Sequence, residues 1–513
     1  MKKCSGWTMR TTGIFAALLL AGGARAESSD PLLNALIKKG ILTEDEAKSI
    51  KADADASQTN MPVMESSKWK INTGIKSIEL FGDLRVRYED REAHDPQGGK
   101  IALDRFRYAV RVGVRGEAFD DFYYGVRLET SANPRSPWVT FGTSSSSSPY
   151  QGPFGKGNAG LNVGQIYLGW RGLNWFDLTV GKMPNPLYTT SMVWDSDYLP
   201  EGVAERFKYT VGEADLFATF GQFIYQDVNP VSASPGFFNI TYTSANPAFL
   251  LAWQAGVNYH ITKKLSFKVA PVFYNYTTHG EDSAVGTLTP DFNGTFIGQG
   301  SSAGVNGVPA SFSGFPNGQF DGFAANQTGI NDLSIIEIPW ELNYHMENHD
   351  IRLFGDYAQN LDGSARATAA FNALNSPLLA NSFITPIPSP QTDDNHAYQV
   401  GLAVGNKDSL GMVYNTTSRK HGWEARAFWQ HVEQYALDPN LLDSDFFEGR
   451  ANMEGLYAAF AYGFTDNIIG TVRYGYAHRI NDKLGTGGSN QDVPQINAIH
   501  EYNLLQFDLA LRF

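Results

Sequence analysis

Cysteine occurs once in the 513 residues, at Cys4, so neither a disulfide framework nor a set of thiolate ligands can organise the fold. Cys4 also precedes the first apolar run, which excludes a lipid-attachment cysteine at a cleavage point. Long hydrophobic runs are scarce as well: beyond the leader none reaches the roughly 18 residues that a helical span requires, which excludes a helical membrane protein. Positive charge is in deficit, with 40 Lys and Arg against 53 Asp and Glu and a formal net charge of −13. Nucleic acid is therefore not an expected partner, because its phosphates call for a basic surface.

What is abundant is aromatic and turn-forming: 13% Phe, Trp and Tyr, and 51 glycines. That composition suits a β protein, although an acidic chain of this length is also compatible with a soluble multi-domain enzyme. The periodicity decides between them. From Asn503 onward, Leu505, Phe507, Leu509, Leu511 and Phe513 alternate with Gln506, Asp508 and Arg512. A period of two with one apolar and one polar face marks a strand between two solvents, and its length fits a tilted bilayer-spanning strand.

The start of the chain agrees. Lys2, Lys3 and Arg10 precede an apolar run from Ile14 to Ala21, and Ala24-Arg25-Ala26 provides small residues for cleavage before Glu27. Residues 1–26 read as a signal peptide for export. Its removal takes the formal charge from −13 to about −17. Residues 27–60 form a periplasmic helical segment in this reading. Leu32, Leu33, Leu36 and Ile37 share a first helix ended by Gly40; Thr43 and Glu46 form a capping box before a second with Ala47 and Ile50. The segment is an arm that oligomerises or touches the cell wall, or a leader packed on a barrel mouth.

Residues 61–513 repeat one unit of about ten alternating residues and a connection. Candidate strands are 78–89, 104–117, 120–131, 161–172, 174–184, 204–212, 214–226, 249–260, 263–277, 333–346, 349–361, 396–405, 421–435, 451–464, 466–480 and 499–513. Tight connections fall at Ala118, Leu173, Glu213, Thr262, Asn348 and Thr465, and the others are long. That alternation is the periplasmic-turn, external-loop pattern of an outer-membrane barrel; only Asn406 to Lys420 is longer than the pattern wants. The expected fold is all-β, a transmembrane antiparallel up-and-down barrel of about 16 strands, with polar inward positions. A soluble β-sandwich alternates too, but seldom needs a loop of about fifty residues such as that between the ninth and tenth strands.

Arginines cluster in the first three strands. Arg105, Arg107, Arg111 and Arg115 share one face opposite Phe106, Tyr108, Val110, Val112 and Val114; Arg85 and Arg87 oppose Leu84, Val86 and Tyr88; Arg127 opposes Val126 and Leu128. Guanidinium groups are costly against hydrocarbon, so in a barrel they line the lumen as a cationic ladder. The segment Met183 to Val203 carries Asp195, Asp197 and Glu201 among Pro, Trp and Tyr.

GKMPNPLYTTSMVWDSDYLPEGVA, residues 181–204, resembles the signature region of the bacterial "putative porin" family, and LLNALIKKGILTEDEAKSI, residues 32–50, is similar to the helical segment of such proteins. A weaker likeness runs to the phosphate-selective porins, whose binding lysines find no matching positions. The resemblance implies a passive outer-membrane diffusion channel for small hydrophilic solutes or ions, a homotrimer embedded in outer-membrane lipid. It also implies that Phe513 is the terminal aromatic read by the barrel-assembly machinery, and no cofactor. By analogy with general porins, the third external loop folds inward, and its Asp195, Asp197 and Glu201 face the arginines across a constriction. The alternative leaves that loop outside and the arginines paired with neighbouring acids such as Asp83 and Glu117.

Enzymatic motifs are weak. His345-Met346-Glu347-Asn348-His349 is not H-E-x-x-H and falls in a turn. Gly300-Ser301-Ser302-Ala303-Gly304 matches G-x-S-x-G without a strand-to-helix elbow, and Ser144 to Ser148 reads as an external tip. An outer-membrane barrel enzyme of lipase or protease type is one alternative function. An envelope anchor, with its barrel plugged by the loop at 278–332, is another. Trp170, Trp175, Trp253, Tyr259, Trp340, Tyr344, Trp423, Trp429, Tyr462 and Phe464 suit interfacial girdles.

Overall fold

The computed structural model describes residues 74–96, 98–131, 136–142, 160–226, 248–276, 288–290, 296–298, 333–374, 389–438, 441–486 and 499–513. The leader, the helical segment at 27–60, the serine run and the Gly300–Gly304 tract lie outside the described residues. The chain divides into two units, Met1–Asn72 and Thr73–Phe513, and the described fold is that of the second.

Sixteen antiparallel strands close into a barrel. They are β1 (Glu79–His94), β2 (Lys100–Ala118), β3 (Phe122–Ser131), β4 (Gly160–Leu173), β5 (Phe176–Lys182), β6 (Glu201–Val211), β7 (Ala214–Gln226) and β8 (Ala248–His260). β9 comprises Leu265–Val269 and Val272–Tyr276, and β10 comprises Ser334–Glu337 and Trp340–His345. β11 (His349–Asn360), β12 (His396–Asn406), β13 (Trp423–Val432), β14 (Met453–Gly463), β15 (Ile468–Arg479) and β16 (Glu501–Arg512) complete the wall. A helix, α1 (Gly363–Leu374), follows β11, and the short piece Val139–Thr140 leans on β2. Each candidate strand of the sequence coincides with one of these to within a few residues.

The seam joins β1 to β16, from Asp83 opposite Arg512 to His94 opposite Glu501. Beyond that ladder, Gly82 N donates to Phe513 O at 2.9 Å and Phe513 N donates to Gly82 O at 3.1 Å. Gly82 has no room for a side chain, because a Cβ would meet Arg111 O at 2.2 Å and the Phe513 ring at 2.9 Å.

Alternation along each strand separates two environments. On β16, Phe507, Leu509 and Leu511 are 46%, 51% and 38% exposed, whereas Gln506, Asp508 and Ala510 are buried. An outward apolar face set against inward polar groups is the arrangement that lipid outside and water inside favour. Trp175, Tyr209, Tyr259, Tyr344 and Phe464 are exposed near the tight turns, where an interfacial girdle is expected.

β9 and β10 each break at a proline, Pro271 and Pro339. Neither can donate a ladder hydrogen bond, so the strands step around them. Ala255 N and Ala270 N recover partners in the carbonyls of Pro271 and Pro339, both at 3.1 Å.

One expectation is corrected. The inward positions are polar on β1–β3 but not all round: Phe428, Met453, Tyr457, Ala461 and Ala477 are buried inside β13–β15. The cause is chain folded into the barrel. The connection 407–422, at the tight-turn end, tucks Met412 and Val413 inward through a 3-10 turn, both fully buried. From the other end, 433–452 brings Phe446, backed by Phe447, against Phe428 and Tyr457. These inserts occupy much of that side, and apolar lining becomes favourable where they pack on it.

Candidate functional site inside the barrel

The inner face of β1–β3 carries the arginines read from the sequence, and each meets a carboxylate. Arg85 pairs with Asp83 at 2.7 Å. Arg87 Nε donates to Asp508 at 2.7 Å and its Nη1 to Asp445 at 2.6 Å. Arg105 and Arg107 both reach Glu89, Arg107 at 3.3 Å. Arg127 pairs with Glu129 at 2.8 Å, and Arg111 lies 3.6 Å from the same carboxylate. Arg115 stands apart at the rim, half exposed and bonded to Glu79. Glu117 pairs with Arg171 instead. The guanidinium of Arg87 also rests on the buried Trp138 ring, 4.1 Å from its centroid.

The segment 183–200, between β5 and β6, crosses the interior. Its first anchor is on the far wall, where Tyr188 N donates to Gln254 Oε1 at 2.8 Å and Gln254 Nε2 donates to Tyr188 O at 2.7 Å. Gln254 also donates to Ala270 O, the carbonyl beside the Pro271 break. Thr189 Oγ1 donates to Glu337 at 2.6 Å, and Thr190 Oγ1 donates to Asp356. The segment then returns to the arginine side, where Arg111 donates to Asp197.

Of the three candidate acids, Asp197 therefore meets the arginine wall directly. Asp195 is buried and caps turns: its Oδ1 accepts from Asp197 N, and its Oδ2 accepts from the nitrogen and hydroxyl of Ser444. Glu201 begins β6, where it pairs with Lys182 at 2.8 Å, away from that contact.

The sequence reading missed the second inserted segment, 433–452. Its signal was present: Asp195-Ser196-Asp197-Tyr198 and Asp443-Ser444-Asp445-Phe446 repeat one pattern, each followed shortly by Glu-Gly. The structure stacks the two. Asp195 N donates to Leu441 O at 2.7 Å, and Asp445 N donates to Asp443 Oδ1 at 2.7 Å as Asp197 does to Asp195. The second aspartate of each copy pairs with an arginine, Asp197 with Arg111 and Asp445 with Arg87. Burial and the Asp445 charge push the Asp443 carboxyl up to about 7. Burial and the adjacent Asp443 hold Asp195 well above the usual carboxylate range. Despite its own burial, Asp445 is held well below that range by Arg87.

Two cavities flank the crossing segment. One of about 420 Å³ lies between the segment and the wall, bordered by Arg85, Arg87, Asp197, Asp445 and Arg473. The other, about 1000 Å³, opens toward the tight turns of β5–β11 beneath Pro186–Tyr188. Leu187, Tyr188, Glu341 and Arg352 border both, so the two meet there. His345 sits at the end of β10 and bonds Asp350 at 2.8 Å.

A closed sixteen-strand cylinder with an apolar outside and an ionic, partly open inside defines a transmembrane β-barrel of the outer-membrane type. The chain belongs to the family described as "Putative porin", which it matches over residues 99–513; it is an outer-membrane porin. No curated protein matches the sequence. Among solved structures it is similar to a mutant of the Rh. blastica porin, at 10% identity, covering 85% of this chain and 100% of that one with a TM-score of 0.34. It is similar to OpdQ of Pseudomonas aeruginosa at 11% identity, covering 86% and 99% with a TM-score of 0.37. A third is the in-vitro folded trimer form of Vibrio cholerae OmpT, at 10% identity, covering 85% and 99% with a TM-score of 0.37.

Proposed function

We propose that this porin passes small hydrophilic solutes and ions down their gradients through a constriction formed by the inserted segment 183–200 and the arginine wall of β1–β3. The contact between Arg111 and Asp197 carries the reading, since it ties the middle of the segment to the wall inside the cylinder. Rows of guanidinium groups facing the Asp195–Asp197 and Asp443–Asp445 turns set up a transverse field, which orients dipolar solutes and disfavours apolar ones. No covalent chemistry is involved. Export through a cleaved leader at 1–26 and recognition of Phe513 by the barrel-assembly machinery belong to the same reading.

Assembly as a homotrimer is also proposed. Glu205 lies on the outward face of β6, in register with Leu178 and Phe220, and accepts a hydrogen bond from Gln222 at 2.9 Å. A carboxylate on that face costs free energy against lipid and is better satisfied against a second copy. Conductance of the purified protein in planar bilayers tests the channel. Absence of any current, together with hydrolysis of lipid or peptide, would favour an enzyme instead.

A further inference from the structure

We propose that the sign of ion selectivity is set not by the arginine wall but by a lysine cluster on the opposite wall, which forms a binding site for small oxyanions at the tight-turn mouth. The inference rests on the channel reading above.

Every inward arginine of β1–β3 named above has a carboxylate within 4.0 Å, so that wall is strongly polarised yet nearly neutral. The 1000 Å³ cavity differs. Its lining includes Arg206, Lys208, Lys264, Lys268 and Arg352. Asp177 matches Arg206 at 3.0 Å, and Glu341 matches Arg352 at 3.4 Å. Among the described residues no carboxylate forms an ion pair with Lys208, Lys264 or Lys268. Glu341 lies opposite Lys268 in the β9–β10 register, but it serves Arg352.

Placement strengthens the charge. Lys208 and Phe217 are register partners on β6 and β7, and Lys268 Nζ lies 5.5 Å from the Phe217 ring and 3.5 Å from the Tyr188 ring. Stacking on Tyr188 fixes that ammonium against the roof of the cavity without neutralising it. The 407–422 and 433–452 inserts narrow the β13–β15 side to the 420 Å³ cavity, so the larger open volume runs along β5–β11, past these lysines. Asn258, Ser266 and Thr219 add neutral polar groups around the same space. Unpaired cations in a concave, partly dry site concentrate anions, and the amide and hydroxyl donors suit carboxylate or phosphate oxygens.

The test uses the full-length refolded protein in planar bilayers under a KCl gradient. Wild type is expected to prefer chloride, and Lys208→Gln with Lys268→Gln to lower the chloride-to-potassium permeability ratio on the order of tenfold. The paired Lys208→Arg and Lys268→Arg changes retain the preference, which separates charge from folding. Lys100→Gln, on the outward rim and paired with Glu92, leaves it unaltered. Inorganic phosphate and succinate are then added separately on the tight-turn side. Stronger block by phosphate assigns a phosphate site, and stronger block by succinate assigns a carboxylate site. A permeability ratio unmoved by the Gln pair, or block equal in wild type and the Gln pair, overturns the proposal. A protein that inserts but carries no current would defeat the channel reading itself.

Discussion

Gln254 and Tyr188 hold each other through two hydrogen bonds, side-chain amide to backbone amide, at 2.8 and 2.7 Å. One residue of the β8 wall thus anchors both backbone polar groups of Tyr188 in the crossing segment, and the nearby Pro271 break gives its amide a third partner in Ala270 O. Gln254→Leu leaves Tyr188 N and O unpaired in a part-buried position. The expected cost is about 1–3 kcal/mol, read as a lower thermal midpoint in detergent, together with noisier single-channel current as the segment loosens.

Arg111 and Asp197 form the opposite anchor. Arg111→Asp sets two like charges together and is expected to displace the segment and raise unitary conductance. Adding Asp197→Arg restores an opposite pair and brings the conductance back toward wild type. If the two effects simply add, the residues are not energetically coupled.

Acidity should tighten the stacked turns. The Asp443 carboxyl titrates at about 7 and that of Asp195 is also raised, so both keep their protons in the folded state at pH values where an unfolded carboxylate has lost its own. Their contribution to docking is fully present below the ordinary carboxylate range and is lost as pH rises through about 7 for Asp443. Current fluctuations are expected to increase as pH rises from about 4 to about 7. Asp443→Asn should flatten the dependence; an unchanged pH profile in that variant would refute the assignment.

The insert at 407–422 acts as internal packing. Met412 is fully buried, and Met412→Ala is expected to destabilise the barrel by about 2–5 kcal/mol, measured by denaturant unfolding. Replacing 409–416 with a short turn should raise conductance by freeing the β13–β15 side.

The wall was legible in the sequence because lipid imposes a period of two on every strand, as Leu505 to Phe513 show. The arginine positions followed from the same rule, since Arg105, Arg107 and Arg111 could not share the face of Phe106 and Tyr108. Their partners did not. Asp445 and Asp508 lie hundreds of residues from Arg87, and no local pattern announces such pairing. The length of 406–420 signalled an irregular connection, but its inward turn depends on Glu424 accepting from Gly411 N and Val413 N across the chain. The cationic cavity was hidden for another reason: Lys208 and Lys268 stand singly on separate strands, and closure of the cylinder brings them to one space.

The seam between β1 and β16 has a kinetic meaning. Arg87 and Asp508, neighbours across it, are separated by nearly the entire domain, so this joint has the largest loop-closure entropy of any in the wall. Until β16 arrives, β1 presents an unsatisfied hydrogen-bonding edge. Assembly should consequently wait on its final step, with a long-lived open intermediate that a chaperone or folding catalyst must shield.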